Sequence, residues 1–287
     1  MLGRLLTRLI DAQTGWARPL GDFNHRWLSA VFRPIRPVQD FLNGTWLGHP
    51  AHGAITDIPI GVLTVSLLLD ILGQPAAADI ALVLGILAML GAAVTGAADY
   101  TTTDGSARVR ATVHSTVMVV ALVVYVVSML LRWGGSHGAL PIALSVIGYA
   151  LLTLGAFVGG DVVYVLGNMV SRHAFRGAGT KWIRLEVDGG VEPDALPEAT
   201  PTKAKLGINT LVLVRDGSAV YALHDTCAHA GGPLSGGKVV DGCIECPWHA
   251  SRFRLSDGHL KNGPTVYDQP VYEVRRGEAG WEARRAG

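Results

Sequence analysis

The sequence predicts two parts: an α-helical membrane bundle of four transmembrane helices, followed by a small all-β domain. Three observations lead there. Charged residues make up only 16% of the 287, and the mean hydropathy is +0.33, which points away from a wholly water-soluble chain. Four apolar stretches, at about 54–72, 76–98, 111–131 and 139–159, each approach the ~20 residues a helix needs to cross the hydrocarbon core. Further on, apolar runs shorten and flank turn signals such as Asp216-Gly217-Ser218. The expected organisation is a basic amphipathic segment over 1–48, the four-helix domain over 49–176, and a linker with the β domain over 177–287.

At the start, Leu2, Leu5, Leu6 and Leu9 recur at helical spacing with Arg4, Arg8 and Asp11 among them, the pattern of a short helix lying on a membrane surface. No apolar core precedes a small-residue cleavage site, and no twin-arginine pair occurs there, so an export signal is not expected. The first span contains Pro59. A start at that residue would leave about 14 residues, or ~21 Å, which is too short. The helix is therefore expected to begin near Pro50, with His49 as its cap and a kink at Pro59. Ala92-x-x-x-Gly96 and Gly155-x-x-x-Gly159 are small-residue pairs that let helices approach closely. Trp46 and Trp133 sit near span ends, as interfacial aromatics do.

An even number of spans puts both ends of the chain on one side. That side carries Arg4, Arg8, Arg18, Arg26, Arg33, Arg36, the loop residues Arg108 and Arg110, then Arg172, Arg176 and Lys181. The opposite side has Arg132 with Asp70 and Asp79. The positive-inside rule then predicts a multi-pass membrane protein with both termini and the β domain in the cytoplasm. A net charge of +1 argues against a nucleic-acid partner.

Residues 177–205 are rich in Gly, Pro and acid and read as a connector with one strand at 182–187. Strands are expected at 210–215 and 219–223 around the turn, and at 271–276 and 281–285. Between them a lobe, about 227–258, carries Cys227-Ala-His229 and, later, Cys246-Pro-Trp-His249. Two thiolates and two imidazoles in this arrangement can hold a [2Fe–2S] cluster, two Cys on one iron and two His on the other. The same residue types also bind zinc. Gly231-Gly232-Pro233 after the first pair, Ala250, Ser251 and Phe253 after the second, and Gly263-Pro264 beyond favour two loop tips with a covering proline loop.

From about residue 181 onward the chain resembles a Rieske domain. That resemblance implies Cys227 and Cys246 on one iron and His229 and His249 on the other, with Trp248, Ser251, Phe253 and Pro264 around them. The respiratory Rieske proteins add a disulfide between the cluster loops, where this chain has Gly232 and Trp248, and a tyrosine where it has Phe253. Losing a hydroxyl near the cluster sulfurs implies a potential near the low end of the Rieske span, about −150 mV rather than about +300 mV. This is the pattern of soluble Rieske ferredoxins and of the ferredoxin part of aromatic-ring dioxygenase systems. The third cysteine, Cys243, reads as a buried strand thiol, and a reducing compartment fits this usage.

The helical half also resembles a known family. His49-Pro-Ala-His52, Thr56-Asp-Ile-Pro-Ile-Gly61, Gly96-Ala-Ala-Asp99 and His114 are similar to a bacterial four-helix membrane family of unassigned function, some members of which carry a C-terminal Rieske domain. The resemblance covers roughly residues 35–175. Alternating helices put His49, His52, Asp57, Asp99, Asp104, His114, Asp161 and His173 towards one end, and ionisable groups beside spans are functional candidates. Three readings stand: caps and loop hydrogen bonds; a b-type haem held by His52 or His49 with His114, His173 in reserve; or a quinone, proton or non-haem metal site. The expected function is one-electron transfer between a cytoplasmic redox protein and a membrane redox group, haem b or quinone. The alternative is an anchored ferredoxin whose helices only tether it to lipid. A Rieske oxygenase would need a further domain with two His and a carboxylate on mononuclear iron.

Overall fold

The computed structural model describes residues 2–174, 181–278 and 280–286, with side chains of the first helix from Leu5 on; the Arg4 side chain, Arg176 and the first residues of the expected linker lie outside what is described. The chain divides into two compact units. One is Met1–Asn43 with Pro50–Asn168; the other is Gly44–His49 with Met169–Gly287.

In the first unit, α4 (Ala51–Ile71), α5 (Pro75–Tyr100), α6 (Gly105–Trp133) and α7 (Ala139–Gly160) are, among the described residues, the helices long and apolar enough to cross a membrane. The N-cap position of α4 is Pro50, one residue after the expected His49. Proline suits this site because a first-turn N–H has no intrahelical partner to lose. The helix continues through Pro59. Pro75 likewise opens α5, after a turn in which Gly73 takes φ 67°.

The helices form two tight hairpins, α4 with α5 and α6 with α7, closed by α5 against α6 and α4 against α7. Leu63, Leu82, Ile86, Met89, Ala121, Tyr125 and Leu152 fill the centre, while Ile71, Leu72, Ile80, Leu87, Val119 and Val123 point outward. Each hairpin is fastened by a buried serine on its first helix. Ser66 donates to the Ala78 carbonyl (2.9 Å) and Ser128 to that of Pro141 (2.7 Å). Each also seats a large side chain on a glycine, Leu63 on Gly85 and Tyr125 on Gly148.

Ahead of the bundle the sequence predicts only one short helix. The structure has α1 (Leu2–Asp11), α2 (Thr14–Phe32) and α3 (Arg36–Asn43). Pro19 and scattered polar residues blur the apolar period of α2, yet it packs by close approach: a Cβ on Gly21 would meet Thr112 Oγ1 at 2.6 Å. Arg108 and Arg110, expected in a loop, lie in the first turns of α6 and are ion-paired. Arg108 reaches Asp22 (2.8 Å); Arg110 reaches Asp161 and Asp11 (3.0 Å to the latter). At the other end Arg132 is buried, held by both oxygens of Asp70 (2.7 and 2.8 Å), by Asp79 (3.0 Å) and by Ser145 (3.1 Å).

In the second unit β1 (Ile183–Val187), β2 (Thr202–Leu206), β3 (Asn209–Asp216), β4 (Ala219–His224), β9 (Val271–Gly277) and β10 (Gly280–Arg285) close a barrel in the order β1-β10-β9-β4-β3-β2. Strand β2 falls inside what reads as connector. It offers only two inward residues, Ala204 and Leu206, too few for a strong alternation signal. Leu196, also in that stretch, is fully buried in the barrel core. A second sheet, β5 (Lys238–Val240), β6 (Cys243–Glu245), β7 (Arg252–Arg254) and β8 (Leu260–Asn262), carries the lobe inserted between β4 and β9.

Candidate metal centre

Two loops of the second unit are built alike. The first follows β4: Cys227 N–H donates to the Gly232 carbonyl (2.9 Å), and Gly231 N–H returns to that of Cys227 (3.0 Å). The second joins β6 to β7: Cys246 N–H donates to the Ser251 carbonyl (2.9 Å), and Ala250 N–H returns to that of Cys246 (3.0 Å). Both loops turn through a left-handed residue four positions after the cysteine, Gly231 at φ 89° and Ala250 at φ 60°. Glycine carries no penalty there; alanine costs about 1 kcal/mol.

The paired loops bring the four candidate ligands together in two pairs. The thiols of Cys227 and Cys246 hydrogen-bond each other, and both are buried. The rings of His229 and His249 lie with centres 4.9 Å apart, nearly perpendicular. Backbone N–H groups of His229 and Ala230 point at the Cys227 sulfur, and those of Trp248 and His249 at the Cys246 sulfur. These amides favour negative charge on sulfur. The hydrogen bond from Cys227, helped by the amides, pulls the Cys246 thiol down to about 7, and the same bond with burial pushes Cys227 up. Burial, with His249 and Arg172 nearby, lowers His229 to about 3, so its ring is neutral at pH 7, the ligating form.

The donor set fits a two-iron cluster. Thiols pair with thiols and imidazoles with imidazoles, and Nδ1 of His229 is buried with no hydrogen-bond partner among the described residues. Among those residues no three His, Cys, Asp or Glu side chains close on a single ion.

Other candidates surround these. The Trp248 indole lies over Gly232, where a Cβ would sit 2.9 Å from the ring. Ser251 and Phe253 are fully buried, Phe253 in the same cluster as both cysteines, and Ser251 Oγ accepts from Thr265 N–H (3.3 Å). Pro264 is buried in the loop that follows β8. Cys243 is a buried thiol on β6.

Sequence reasoning missed Gln269. Its side chain, 2% exposed, accepts from Ala228 N–H (2.9 Å) and donates to the carbonyls of His224 (2.6 Å) and Thr226 (2.8 Å). It clamps the first loop from a distant part of the chain, and nothing in its local sequence announces this. Arg172 N–H donates to the Ala228 carbonyl (3.2 Å) from the opposite direction in sequence.

Of the four histidines weighed for the helical half, two come together. The rings of His52 on α4 and His114 on α6 have centres 6.3 Å apart. His49 and His173 belong to the second unit, where His173 Nε2 contacts the Thr226 carbonyl (2.8 Å) and its ring lies 4.6 Å from His224.

Comparison with known proteins agrees with the lobe. Over 82 residues the chain is 34% identical to the anthranilate 1,2-dioxygenase ferredoxin subunit of Burkholderia cepacia, covering 29% of this chain and 76% of that protein. It is 28% identical over 93 residues to ferredoxin CarAc of Metapseudomonas resinovorans, covering 32% of this chain and 83% of that one. Among solved structures, the ferredoxin of carbazole 1,9a-dioxygenase from Nocardioides aromaticivorans IC177 is 29% identical and covers 37% of this chain and 97% of its own, with a TM-score of 0.32. Residues 191–273 match the Rieske [2Fe-2S] domain profile, and the chain belongs to that family, with a helical domain fused ahead of it.

Proposed function

We propose that this chain is a membrane-anchored Rieske ferredoxin that passes single electrons between a cytoplasmic redox protein and a redox group in its helical domain, haem b or quinone. The observation that carries the reading is the pair of matched loops, with two thiols ringed by backbone amides and two imidazoles beside them. Cys227 and Cys246 would hold one iron, His229 and His249 the other. When bound, the cluster supplies a one-electron carrier of Rieske type. The half-exposed His249 and the exposed Trp248 offer an edge on which a partner could dock. The amides hold negative charge on the sulfurs.

Anchoring is supported by the four apolar helices and their outward Leu, Ile and Val side chains. A cytoplasmic placement of the termini and of the Rieske domain is supported by Arg18, Arg26, Arg33 and Arg36 on that side of the first span. The similarity to a dioxygenase ferredoxin subunit favours an oxygenase or reductase as partner, and it supports the second reading, in which the helices only tether the ferredoxin.

EPR of dithionite-reduced protein tests the assignment. A Rieske signal is expected in wild type and in Cys243→Ser, and its loss in Cys227→Ser and His249→Ala. A full signal in Cys227→Ser removes the ligand set.

A further inference from the structure

We infer that His52 and His114 are the two axial ligands of one haem, seated on an internal pseudo-twofold axis of the helical bundle. This rests on the proposed electron-transfer reading and names the membrane redox group within it.

The two hairpins repeat one another position by position. Histidine stands near the start of the first helix of each, His52 on α4 and His114 on α6. His52 Nδ1 contacts the Ala92 carbonyl at 2.9 Å, 40 residues on; His114 Nδ1 contacts the Gly155 carbonyl at 2.8 Å, 41 residues on. One turn further along the second helix a glycine faces the ring. A Cβ on Gly96 would lie 2.9 Å from Cε1 of His52, and one on Gly159 would lie 3.0 Å from Cε1 of His114. The correspondence continues outward at constant spacing through Leu63 on Gly85 and Tyr125 on Gly148, then through Ser66 with Ala78 and Ser128 with Pro141. Because α5 lies against α6 and α4 against α7, the helices bearing the histidines occupy one diagonal of the bundle. Equivalent rings on a diagonal meet at the pseudo-axis.

The hydrogen bonds fix the chemistry of the meeting point. A carbonyl oxygen can only accept, so each Nδ1 is the donor and each neutral ring carries its lone pair on Nε2. Neither Nε2 is engaged by another group among the described residues. Two neighbouring imidazoles, each with an unengaged lone pair, are a donor set for a Lewis acid. In this tautomer neither Nε2 can donate to a quinone carbonyl. Second, the spacing suits one shared ion. With Nε2 about 1 Å from its ring centre and a metal–imidazole bond of about 2 Å, rings flanking one ion have centres ~6 Å apart; the observed separation is 6.3 Å.

Third, the number of protein ligands selects the metal complex. A bare zinc ion takes three or four protein ligands, and among the described residues no third His, Cys, Asp or Glu joins this pair. Haem brings four nitrogens of its own and needs only the two axial positions filled. Facing helices of a bundle are a known place for such a site. The ring planes stand 78° apart, an arrangement that two axial imidazoles can adopt about a shared iron.

The test uses the full chain, made with a haem precursor supplied to the cells, purified in detergent and titrated with hemin. Wild type should bind one haem per chain with a low-spin Soret band. His52→Ala and His114→Ala should each lose that band while keeping the Rieske EPR signal. His114→Met should keep a haem, because methionine can replace the axial imidazole, and should raise its potential; a purely structural histidine would give no such shift. Wild-type protein with a Rieske signal and no Soret band at saturating hemin overturns the inference and leaves the tethered ferredoxin standing. So does a band that survives in both alanine variants, which marks adventitious haem, or uptake of zinc without haem. Absence of both signals in folded wild type sinks the electron-transfer reading as well.

Discussion

Gln269→Leu removes the clamp on the first cluster loop while keeping a side chain of similar reach. Three hydrogen bonds go with it. The main cost falls on Ala228, whose buried N–H has, among the described residues, Gln269 Oε1 alone to receive it. An orphaned buried donor costs about 1–3 kcal/mol, and each further lost neutral bond about 0.5–1.5. The Thr226 carbonyl retains His173, so its share is small. The total is about 3 kcal/mol, which at ~1.4 kcal/mol per tenfold raises the population of the opened loop about 100-fold. If opening exposes the cluster ahead of loss, a strong iron chelator should bleach the visible absorption of the full chain about 100 times faster in the variant. Gln269→Glu is expected to do no better, because its second oxygen would face two carbonyls. Bleaching of Gln269→Leu within threefold of wild type would refute the clamp.

Three other outcomes can be measured. Phe253→Tyr should raise the cluster potential from the low part of the Rieske span by placing a hydroxyl beside the cysteines; film or protein voltammetry reads this, and a wild-type value near +300 mV would contradict the low-potential assignment. Arg132→Met strips the buried Asp70 of both its bonds to that guanidinium and should destabilise the bundle by about 3–5 kcal/mol. Thermal unfolding in detergent checks it, and Asp70→Asn with Asp79→Asn in the same chain should recover much of the loss. Cysteine placed at Ser218, in the turn between β3 and β4, should resist an impermeant thiol reagent in intact cells and react after lysis. Strong labelling from outside reverses the orientation.

What was legible in the sequence was local. Cys227, His229, Cys246 and His249 stand out because each pair spans one loop tip, so its spacing is written within four residues. The strands around Asp216-Gly217-Ser218 were legible for the same reason and extend a residue beyond expectation, β3 to Asp216 and β4 to His224. Gln269 was not, since its partner Ala228 lies 41 residues away and the contact exists only once the barrel has closed. Helices α2 and α3 were hidden because a few close approaches, such as Gly21 against Thr112, replace a broad apolar stripe. Among the bundle histidines, spacing could order four candidates along the helices but could not say that His49 and His173 belong to the other unit.

The small-residue pairs show how one pattern can serve a different end from the usual one. Ala92-x-x-x-Gly96 and Gly155-x-x-x-Gly159 read as surfaces for close helix contact. Here Ala92 and Gly155 present carbonyls, and Gly96 and Gly159 leave room for imidazoles, so the motif is a socket for a ring and an acceptor for its proton. Sequence identity between the hairpins is too sparse to advertise this, because what repeats is the socket and most of the side chains around it do not. At the far end of the bundle the repetition breaks in an informative way. The positions that correspond are Asp70 and Arg132, and they bind each other. Two identical hairpins assembled about a true twofold would set like charge against like, which is repulsive in a buried site. Joining the hairpins in one chain allows the equivalent positions to carry opposite charges. One end of the bundle can then be locked by an ion pair, while the other keeps two equivalent histidine sockets.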